Sequence, residues 1–278
     1  MNSVIKKYIE SLILEKLKKS EAKLGVCVQN NNGEAIFAYN AREKFDTACS
    51  IMVFIMLEYF NQLKAGIISG EELITYTEDN YATGSGVIKF LTYGKKIKAK
   101  DLMELMITIS DHIAANMLID FLKIENINNT IYKNNFFNTR LNHKFLIPKL
   151  KNMGVSTPYE LSLYYYMLNN NIISDETTCF KMKKILLKQK YKDILTEKIV
   201  NSKSYIDVAC KSGKADGRIY DTNTNSYIVD AGIIYTQFGS YNIAIMGELY
   251  SKASSSLNDI KSDMQEISRL IYQGINGD

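Results

Sequence analysis

The chain has 278 residues, a formal net charge of +4, four cysteines and two histidines. At about 150 residues per domain, this length fits one large domain or two smaller ones. The small positive charge is spread along the chain, which argues against a nucleic-acid partner. No C-x-x-C, H-x-x-x-H or H-E-x-x-H spacing occurs, so we predict no metal site and no cofactor. Any chemistry is expected from hydroxyl, ammonium and carboxylate groups, with at most one imidazole.

The N-terminal segment and the longest apolar run predict a protein without a membrane anchor. Glu10 and Glu15 flank residues 11–14, and this segment is too short to be the apolar stretch of a secretory signal. The longest apolar run, residues 51–57, is far below the roughly 20 residues of a membrane span. Four scattered cysteines form no disulfide framework. We therefore expect a cytoplasmic protein with no membrane and no protein partner, unless a leader peptide has been removed.

In chain order, the residue pattern changes from mixed to helical and back. Apolar residues at three- and four-residue intervals predict an amphipathic first helix. Residues 25–28 and 35–39 flank an Asn-Asn-Asn-Gly turn, which predicts a β-hairpin. Helical periods follow from about residue 50 to residue 195. Residues 205–210, 227–236 and 241–250 are rich in Ile, Val and Tyr and predict strands, and an amphipathic helix follows them.

This order of elements predicts an α+β fold. We expect an antiparallel sheet built from both chain ends and backed by the terminal helices, plus an all-α lobe. Residues 1–278 are predicted to form a single domain, with residues 1–46 and 203–278 in the α/β lobe and residues 47–202 in the helical lobe. A functional site is expected between the two lobes.

Three short segments resemble the S-x-x-K, S-D-N and K-[ST]-G elements of class A β-lactamases and penicillin-binding proteins. They are Cys49-Ser50-Ile51-Met52-Val53, Ser110-Asp111-His112 and Lys211-Ser212-Gly213. Their order and spacing are similar to that family over nearly the whole chain. The resemblance implies a β-lactamase-like fold and a serine-dependent acyl hydrolase or acyl transferase. Such an enzyme acts on an amide, β-lactam or ester through an acyl-enzyme.

The resemblance implies a catalytic role for each retained residue. Ser50 would be the nucleophile at the start of a buried helix. The backbone N–H groups of Ser50 and Lys214 would form the oxyanion hole, where such donors contribute about 2.7–4 kcal/mol each. Ser110 and Lys211 would pass a proton to the departing group.

The resemblance also implies a substrate-binding strand. Ser212 and Gly213 belong to the K-[ST]-G element, and Ser212 would bind a substrate carboxylate with help from Lys214 or Arg218. The expected partner is therefore a small molecule that carries a carboxylate.

One departure from the family pattern concerns acylation. The family's lysine, three residues after the serine, is Val53 here, and valine cannot accept a proton. The third residue of the S-D-N element is His112, whose imidazole is a natural general base for a hydroxyl. We hypothesise that His112 replaces the lysine in a Ser50–His112 pair, in which Asp111 either orients the ring or does not. The alternative is that His112 is a polar substitution in a site that has lost activity.

A second departure concerns deacylation. Aligning residues 139–145 with the loop that carries the family's glutamate puts Phe145 in that position, and no acidic residue lies between Arg140 and Tyr159. His143 is a conceivable substitute base, although a loop histidine is more often a surface residue. We therefore expect impaired deacylation: a trapped acyl group, transfer to an amine or alcohol, or hydrolysis of an easier ester.

Cys49, directly before Ser50, is interpreted as a small buried thiol. Some carbapenem-hydrolysing relatives bridge a cysteine at this place to one two residues after the K-[ST]-G glycine, but that position is Ala215 here. Two other functions stay open. The chain could be a catalytically silent ligand-binding homologue or a cytoplasmic biosynthetic tailoring enzyme.

Overall fold

The computed structural model describes residues 3–145, 153–199, 206–219 and 223–276. The helices in these ranges are α1 (Ser3–Lys19), α2 (Met52–Lys64), α3 (Ala99–Thr108), α4 (His112–Leu122), α5 (Ile124–Lys133), α6 (Pro158–Asn169), α7 (Glu176–Leu186), α8 (Asp193–Thr196) and α9 (Leu257–Asn276). The strands are β1 (Lys23–Gln29), β2 (Ala35–Tyr39), β3 (Phe45–Asp46), β4 (Leu73–Thr75), β5 (Lys96–Lys98), β6 (Arg140–Leu141), β7 (Gly154–Ser156), β8 (Ile206–Ala215), β9 (Ser226–Thr236) and β10 (Gly239–Leu249). The predicted lobe boundary at residues 202–203 and the predicted strand start at Tyr205 lie outside the described residues.

The main sheet is antiparallel and combines both ends of the chain. In the described residues its five strands have the order β2-β1-β10-β9-β8. The predicted N-terminal hairpin is the β1–β2 pair. The α+β fold class, with a sheet from both chain ends and a helical lobe between them, is therefore confirmed. Because β8 is an edge strand, its Lys211-Ser212-Gly213 segment has an unpaired side available to the helical lobe.

The interior has two hydrophobic cores, one on each face of the main sheet, because successive side chains of a strand point to opposite faces. One core joins the sheet to the helical lobe and includes Ala209, Val229, Ala231, Ile233, Ala244 and Met246. The other joins the sheet to α1 and α9 and includes Val208, Cys210, Ile228, Ile234, Ile243 and Ile245. The terminal helices therefore back the sheet, as the sequence predicts. No helix in the described ranges is both long enough and apolar enough to cross a bilayer.

Helix α2 is the central helix of the helical lobe. Phe54 packs edge-on against Phe136 and Tyr164, with ring centroids 5.2 and 5.1 Å apart. The Tyr164 hydroxyl also donates a hydrogen bond to the carbonyl oxygen of Val53, at 3.0 Å. Such aromatic pairs add about 0.5–1.5 kcal/mol each beyond the area that they bury. The helix that carries the predicted nucleophile at its start is therefore fixed in a packed core.

Candidate active site

A strained 3₁₀ turn, Ala48–Ile51, leads into α2. Ala48 has a φ of 42°, a left-handed conformation that a non-glycine residue adopts at a cost of about 1–3 kcal/mol. The turn is held by Asp46, whose Oδ1 accepts a hydrogen bond from the Ala48 N–H at 2.7 Å. The Ser50 N–H donates to the Thr47 carbonyl oxygen at 3.0 Å. Backbone strain of this kind is typical of functional sites. The conformation of the turn determines which of its side chains point toward the cleft.

His112, the first residue of α4, contacts Cys49. The His112 Nε2 atom lies 3.1 Å from the Cys49 Sγ atom. The other ring nitrogen, Nδ1, lies 2.9 Å from the Thr83 carbonyl oxygen. A carbonyl oxygen only accepts, so Nδ1 carries the hydrogen and Nε2 is left to accept the thiol proton. The imidazole is therefore oriented as a base for Cys49.

The surroundings of this pair favour its charged form. Burial alone would raise the pKa of the Cys49 thiol, but the imidazolium of His112 and its hydrogen bond lower that pKa below the ordinary value. Burial likewise works against the imidazolium, while the Cys49 thiolate raises the pKa of His112 above its ordinary value. Both shifts favour transfer of the thiol proton to the imidazole, and the thiolate is the form in which a cysteine is nucleophilic.

The predicted nucleophile, Ser50, has a different partner. Its hydroxyl donates a hydrogen bond to the Thr47 carbonyl oxygen at 2.7 Å, and only 1% of the residue is exposed. A backbone carbonyl cannot serve as a general base. The structure places the His112 ring on Cys49 rather than on Ser50, so the catalytic role of Ser50 stays a prediction.

Lys211 and Ser110 join the two lobes directly. The Lys211 Nζ atom donates to the Ser110 Oγ atom and, at 2.8 Å, to the Ser212 carbonyl oxygen. Lys211 is completely buried, and its burial lowers the pKa of the ammonium group below the ordinary value. Ser110 has a φ of 54°, which is again unusual for a residue with a side chain. These two predicted catalytic residues therefore lie in contact, with an ammonium group that releases a proton more readily than an exposed lysine.

Asp111 does not orient the His112 ring. Its Oδ1 atom accepts from the Ala114 N–H at 3.0 Å and caps α4. Its Oδ2 atom accepts from the N–H groups of residues 87 and 88, at 2.7 and 3.0 Å. Gly86 has a φ of +113°, and a Cβ atom there would lie 2.2 Å from the Asp111 Cγ atom. Asp111 therefore fixes the loop whose Thr83 carbonyl orients the imidazole.

The predicted substrate-binding segment lies along the nucleophile turn. The Ser212 hydroxyl donates to the Tyr191 carbonyl oxygen at 3.0 Å, and Lys214 is exposed. A Cβ atom on Gly213 would lie 2.5 Å from the Cys49 nitrogen and 2.9 Å from the Ser50 nitrogen. Only glycine allows β8 to approach the turn this closely.

Phe145 covers one face of the His112 ring. The two rings stack with centroids 5.5 Å apart and an interplanar angle of 29°. The Phe145 N–H donates to the Asn116 Oδ1 atom at 2.6 Å, which fixes the backbone of Phe145 against α4. An apolar ring that carries no proton acceptor therefore lies against the base. His143 is placed differently, with its Nδ1 atom 2.7 Å from the Lys144 carbonyl oxygen.

The structure thus brings the predicted catalytic residues Ser110 and Lys211 into contact, and it places His112 on Cys49, the residue before Ser50. From the sequence, Cys49 is interpreted only as a small buried thiol. The signal that could have found it is a cysteine beside the motif serine, combined with a histidine in place of the S-D-N asparagine. In the described ranges, no group of three or more His, Cys, Asp or Glu side chains is placed to hold a metal ion.

Asp46, which holds the strained turn, makes stability depend on pH. Burial raises the pKa of Asp46 to about 6, although the hydrogen bond from Ala48 partly opposes the rise. Because the pKa in the unfolded chain is about 3.9, the folded protein binds more protons between pH 4 and 6. The free energy of unfolding therefore falls as pH rises through this window, by about 2–3 kcal/mol from this group.

Asp46→Asn keeps an oxygen acceptor for the Ala48 N–H and removes the buried charge. We expect this variant to be more stable than the wild type at pH 8, by about 2 kcal/mol, and of similar stability at pH 4. Urea unfolding of both proteins at pH 4, 6 and 8 measures the difference. A stability difference that does not change with pH would contradict the assignment.

A sheet built from both chain ends, a helical lobe and this cluster at their junction define the β-lactamase-like serine hydrolase fold. A family model described as "Beta-lactamase enzyme family" matches residues 4–275. The chain belongs to this family.

Solved structures agree with this fold. The β-lactamase from Sphaerobacter thermophilus is similar, with a TM-score of 0.81 at 22% sequence identity over 95% of each chain. PBP-A gives a TM-score of 0.82 at 21% identity, over 99% of this chain and 97% of that chain. A representative class A β-lactamase from Bacteroides cellulosilyticus gives a TM-score of 0.82 at 19% identity over 100% of both chains. A comparison with curated proteins finds no match.

Proposed function

We propose that the cleft between the lobes catalyses acyl transfer through a covalent acyl-enzyme. The acyl donor would be an amide, a β-lactam or an ester. The observation that carries the proposal is the buried Lys211–Ser110 contact beside the start of α2, with His112 on the same segment. Burying an ammonium group against a hydroxyl costs free energy of desolvation, and perturbed groups of this kind are concentrated at functional sites. Lys211 and Ser110 could therefore act as the acid, and His112 as the base, on either side of one substrate carbonyl group.

Lys211 and Ser110 would protonate the leaving group. The Ser110 hydroxyl gives its proton to the departing nitrogen or oxygen and regains one from the Lys211 ammonium. The lowered pKa of Lys211 suits this transfer, because the proton then leaves the ammonium at a smaller free-energy cost. His112 would act on the other side of the carbonyl as the base that activates the nucleophile.

The substrate would be a small molecule that carries a carboxylate. Ser212 lies on the same edge strand, next to Lys211, and its hydroxyl is bonded to the Tyr191 carbonyl oxygen. To bind a carboxylate, this hydroxyl exchanges that acceptor for the substrate oxygen. Lys214, two residues further along β8, is exposed and supplies a positive charge at the same edge. Gly213 keeps this strand close to the turn.

Deacylation by water would be slow. Phe145 carries no group that can activate water, and it stacks on the one base of the cluster. The acyl group would then persist until an amine, an alcohol or a slowly activated water removes it from the enzyme.

Intact-protein mass spectrometry tests the proposed function. A mutant of PBP-A has been solved as an acyl-enzyme complex with penicillin G, so penicillin G is a suitable probe, together with p-nitrophenyl acetate. We expect both compounds to add one acyl group to the wild-type protein, and we expect the adduct to persist for many minutes. Thermal stabilisation by penicillin G without an adduct from either compound would contradict acyl transfer and favour a silent binding protein.

A further inference from the structure

The turn before α2 presents two candidate nucleophiles, and they differ in what they contact. We propose that the attacking atom is the Cys49 sulfur, activated by His112, and that the acyl-enzyme is a thioester rather than a serine ester. This inference rests on the proposed function and names the nucleophile of the same site.

The contacts of the two side chains favour the thiol. Cys49 Sγ lies 3.1 Å from His112 Nε2, which is the ring nitrogen left free to accept a proton. Ser50 Oγ donates to the Thr47 carbonyl oxygen, which cannot take a proton away. Moving the Ser50 hydroxyl onto His112 would break that hydrogen bond and displace the sulfur from the ring. The resting geometry is therefore ready for attack by sulfur and not for attack by oxygen.

The charges around the turn also favour the thiol. Cys49 is influenced by two cationic groups, His112 and Lys211, and both lower its pKa. Burial and Lys211 both lower the pKa of His112, but the Cys49 thiolate and the hydrogen bonds of the ring outweigh them and raise it. A thiolate in this place offsets two neighbouring positive charges in a buried cleft.

The backbone favours position 49 for an oxyanion hole. The Ser50 N–H is already bonded to the Thr47 carbonyl oxygen. In the part of the chain that the structure describes, no hydrogen bond is found from the Cys49 N–H, which lies beside Gly213 of the edge strand. A free N–H on the nucleophilic residue is the kind of donor that a tetrahedral intermediate needs.

A thiol also explains why the family's lysine can be absent. Three residues after Cys49 is Met52, and three residues after Ser50 is Val53, and neither side chain can accept a proton. A thiol, with an ordinary pKa of about 8.5, is far more acidic than a serine hydroxyl, so an imidazole ionises it more readily. The replacement of the lysine by Val53 and of the asparagine by His112 would then both follow from a change of nucleophile from serine to cysteine.

Acylation forms one bond to the substrate carbonyl carbon and breaks another. The Cys49 thiol proton moves to His112 Nε2, and the sulfur electron pair forms a bond to the substrate carbonyl carbon. The carbon–nitrogen or carbon–oxygen bond to the leaving group breaks, and that group takes a proton from Ser110. Ser110 is reprotonated by Lys211. The products are a thioester on Cys49, an imidazolium, a neutral lysine and an amine or alcohol, which stays attached to the acyl group when the donor is a β-lactam.

Acylation of four proteins tests this inference: the wild type, Cys49→Ala, Ser50→Ala and the matched control Cys179→Ala. Cys179 is also buried, but it lies on α7 with its sulfur 3.5 Å from the Ser174 carbonyl oxygen. After incubation with penicillin G or p-nitrophenyl acetate, we expect full adducts on wild type, Ser50→Ala and Cys179→Ala. We expect none on Cys49→Ala. The adduct should be removed by neutral hydroxylamine, which cleaves thioesters far faster than oxygen esters. Thermal unfolding establishes that each variant is folded.

An adduct on folded Cys49→Ala that disappears in Ser50→Ala would overturn the inference and leave the proposed function intact. If the wild type takes no acyl group, the proposed function fails, and alkylation by iodoacetamide then decides the inference. Selective labelling of Cys49 at pH 6.5, ahead of Cys27, Cys179 and Cys210, would still support an activated thiol. Equal or slower labelling of Cys49 would contradict it.

Discussion

Acylation of the His112→Asn protein by penicillin G is expected to be about 10²- to 10⁴-fold slower than that of the wild type at pH 7, the usual contribution of a general base. Asparagine restores the S-D-N sequence of the family and can still donate to the Thr83 carbonyl oxygen. It cannot accept the thiol proton. It also removes the positive charge that lowers the pKa of Cys49. Single-turnover mass spectrometry, with the rate taken from the growth of the adduct, measures the loss.

The matched control is His143→Asn, because His143 is the other of the two histidines in the chain. The His143 Nδ1 atom lies 2.7 Å from the Lys144 carbonyl oxygen, whereas the His112 ring lies on Cys49. We expect this variant to keep the wild-type acylation rate. If His112→Asn acylates within a factor of three of the wild type, His112 is not the base.

Lys211→Met is expected to slow acylation by penicillin G by about 10²- to 10³-fold, the usual size of an electrostatic contribution in a buried site. The same variant should react with p-nitrophenyl acetate within about tenfold of the wild type. Nitrophenolate leaves without a proton, whereas the β-lactam nitrogen needs one. Methionine has a similar length to lysine and removes the buried charge, so the fold should persist.

Ser110→Ala should show the same difference between the two acyl donors, because Lys211 acts through the Ser110 hydroxyl. Lys188→Met is the control for the loss of a lysine, since Lys188 is half-exposed and paired with Glu104. It should leave both rates unchanged. Equal losses with both donors in Lys211→Met would contradict a role in leaving-group protonation and indicate a structural role instead.

The fold could be predicted from the sequence because its signals are local. The Asn-rich turn between β1 and β2, the β-rich C-terminal segments and the apolar stripes of the terminal helices each specify one element. The meeting of Ser110 with Lys211 could be predicted because the order of motifs along the chain fixes which elements face the cleft. Such contacts depend on the fold topology, and the resemblance to the β-lactamase family predicts that topology.

The choice between Cys49 and Ser50 could not be predicted in the same way. Consecutive residues on a helical turn point about 100° apart, so the backbone of the preceding residue decides which of them faces the cleft. That residue is Ala48, whose φ of 42° no alanine would be expected to adopt from its sequence. The role of Asp111 was hidden for a similar reason. The rotamer of Asp111 and the position of a loop distant in sequence determine whether its carboxylate caps α4 or orients His112, and neither can be read from the sequence.

The pH dependence of Cys49 alkylation tests the thiolate–imidazolium pair most directly. The rate of reaction with iodoacetamide, followed by peptide mass spectrometry in wild type and in His112→Asn, reports the ionisation of this one thiol. We predict a midpoint in the wild type below about 8.5, the ordinary thiol value. We predict a higher midpoint in His112→Asn, because burial then raises the pKa without an opposing imidazolium. The same midpoint in both proteins, at or above the ordinary value, would contradict activation of Cys49 by His112.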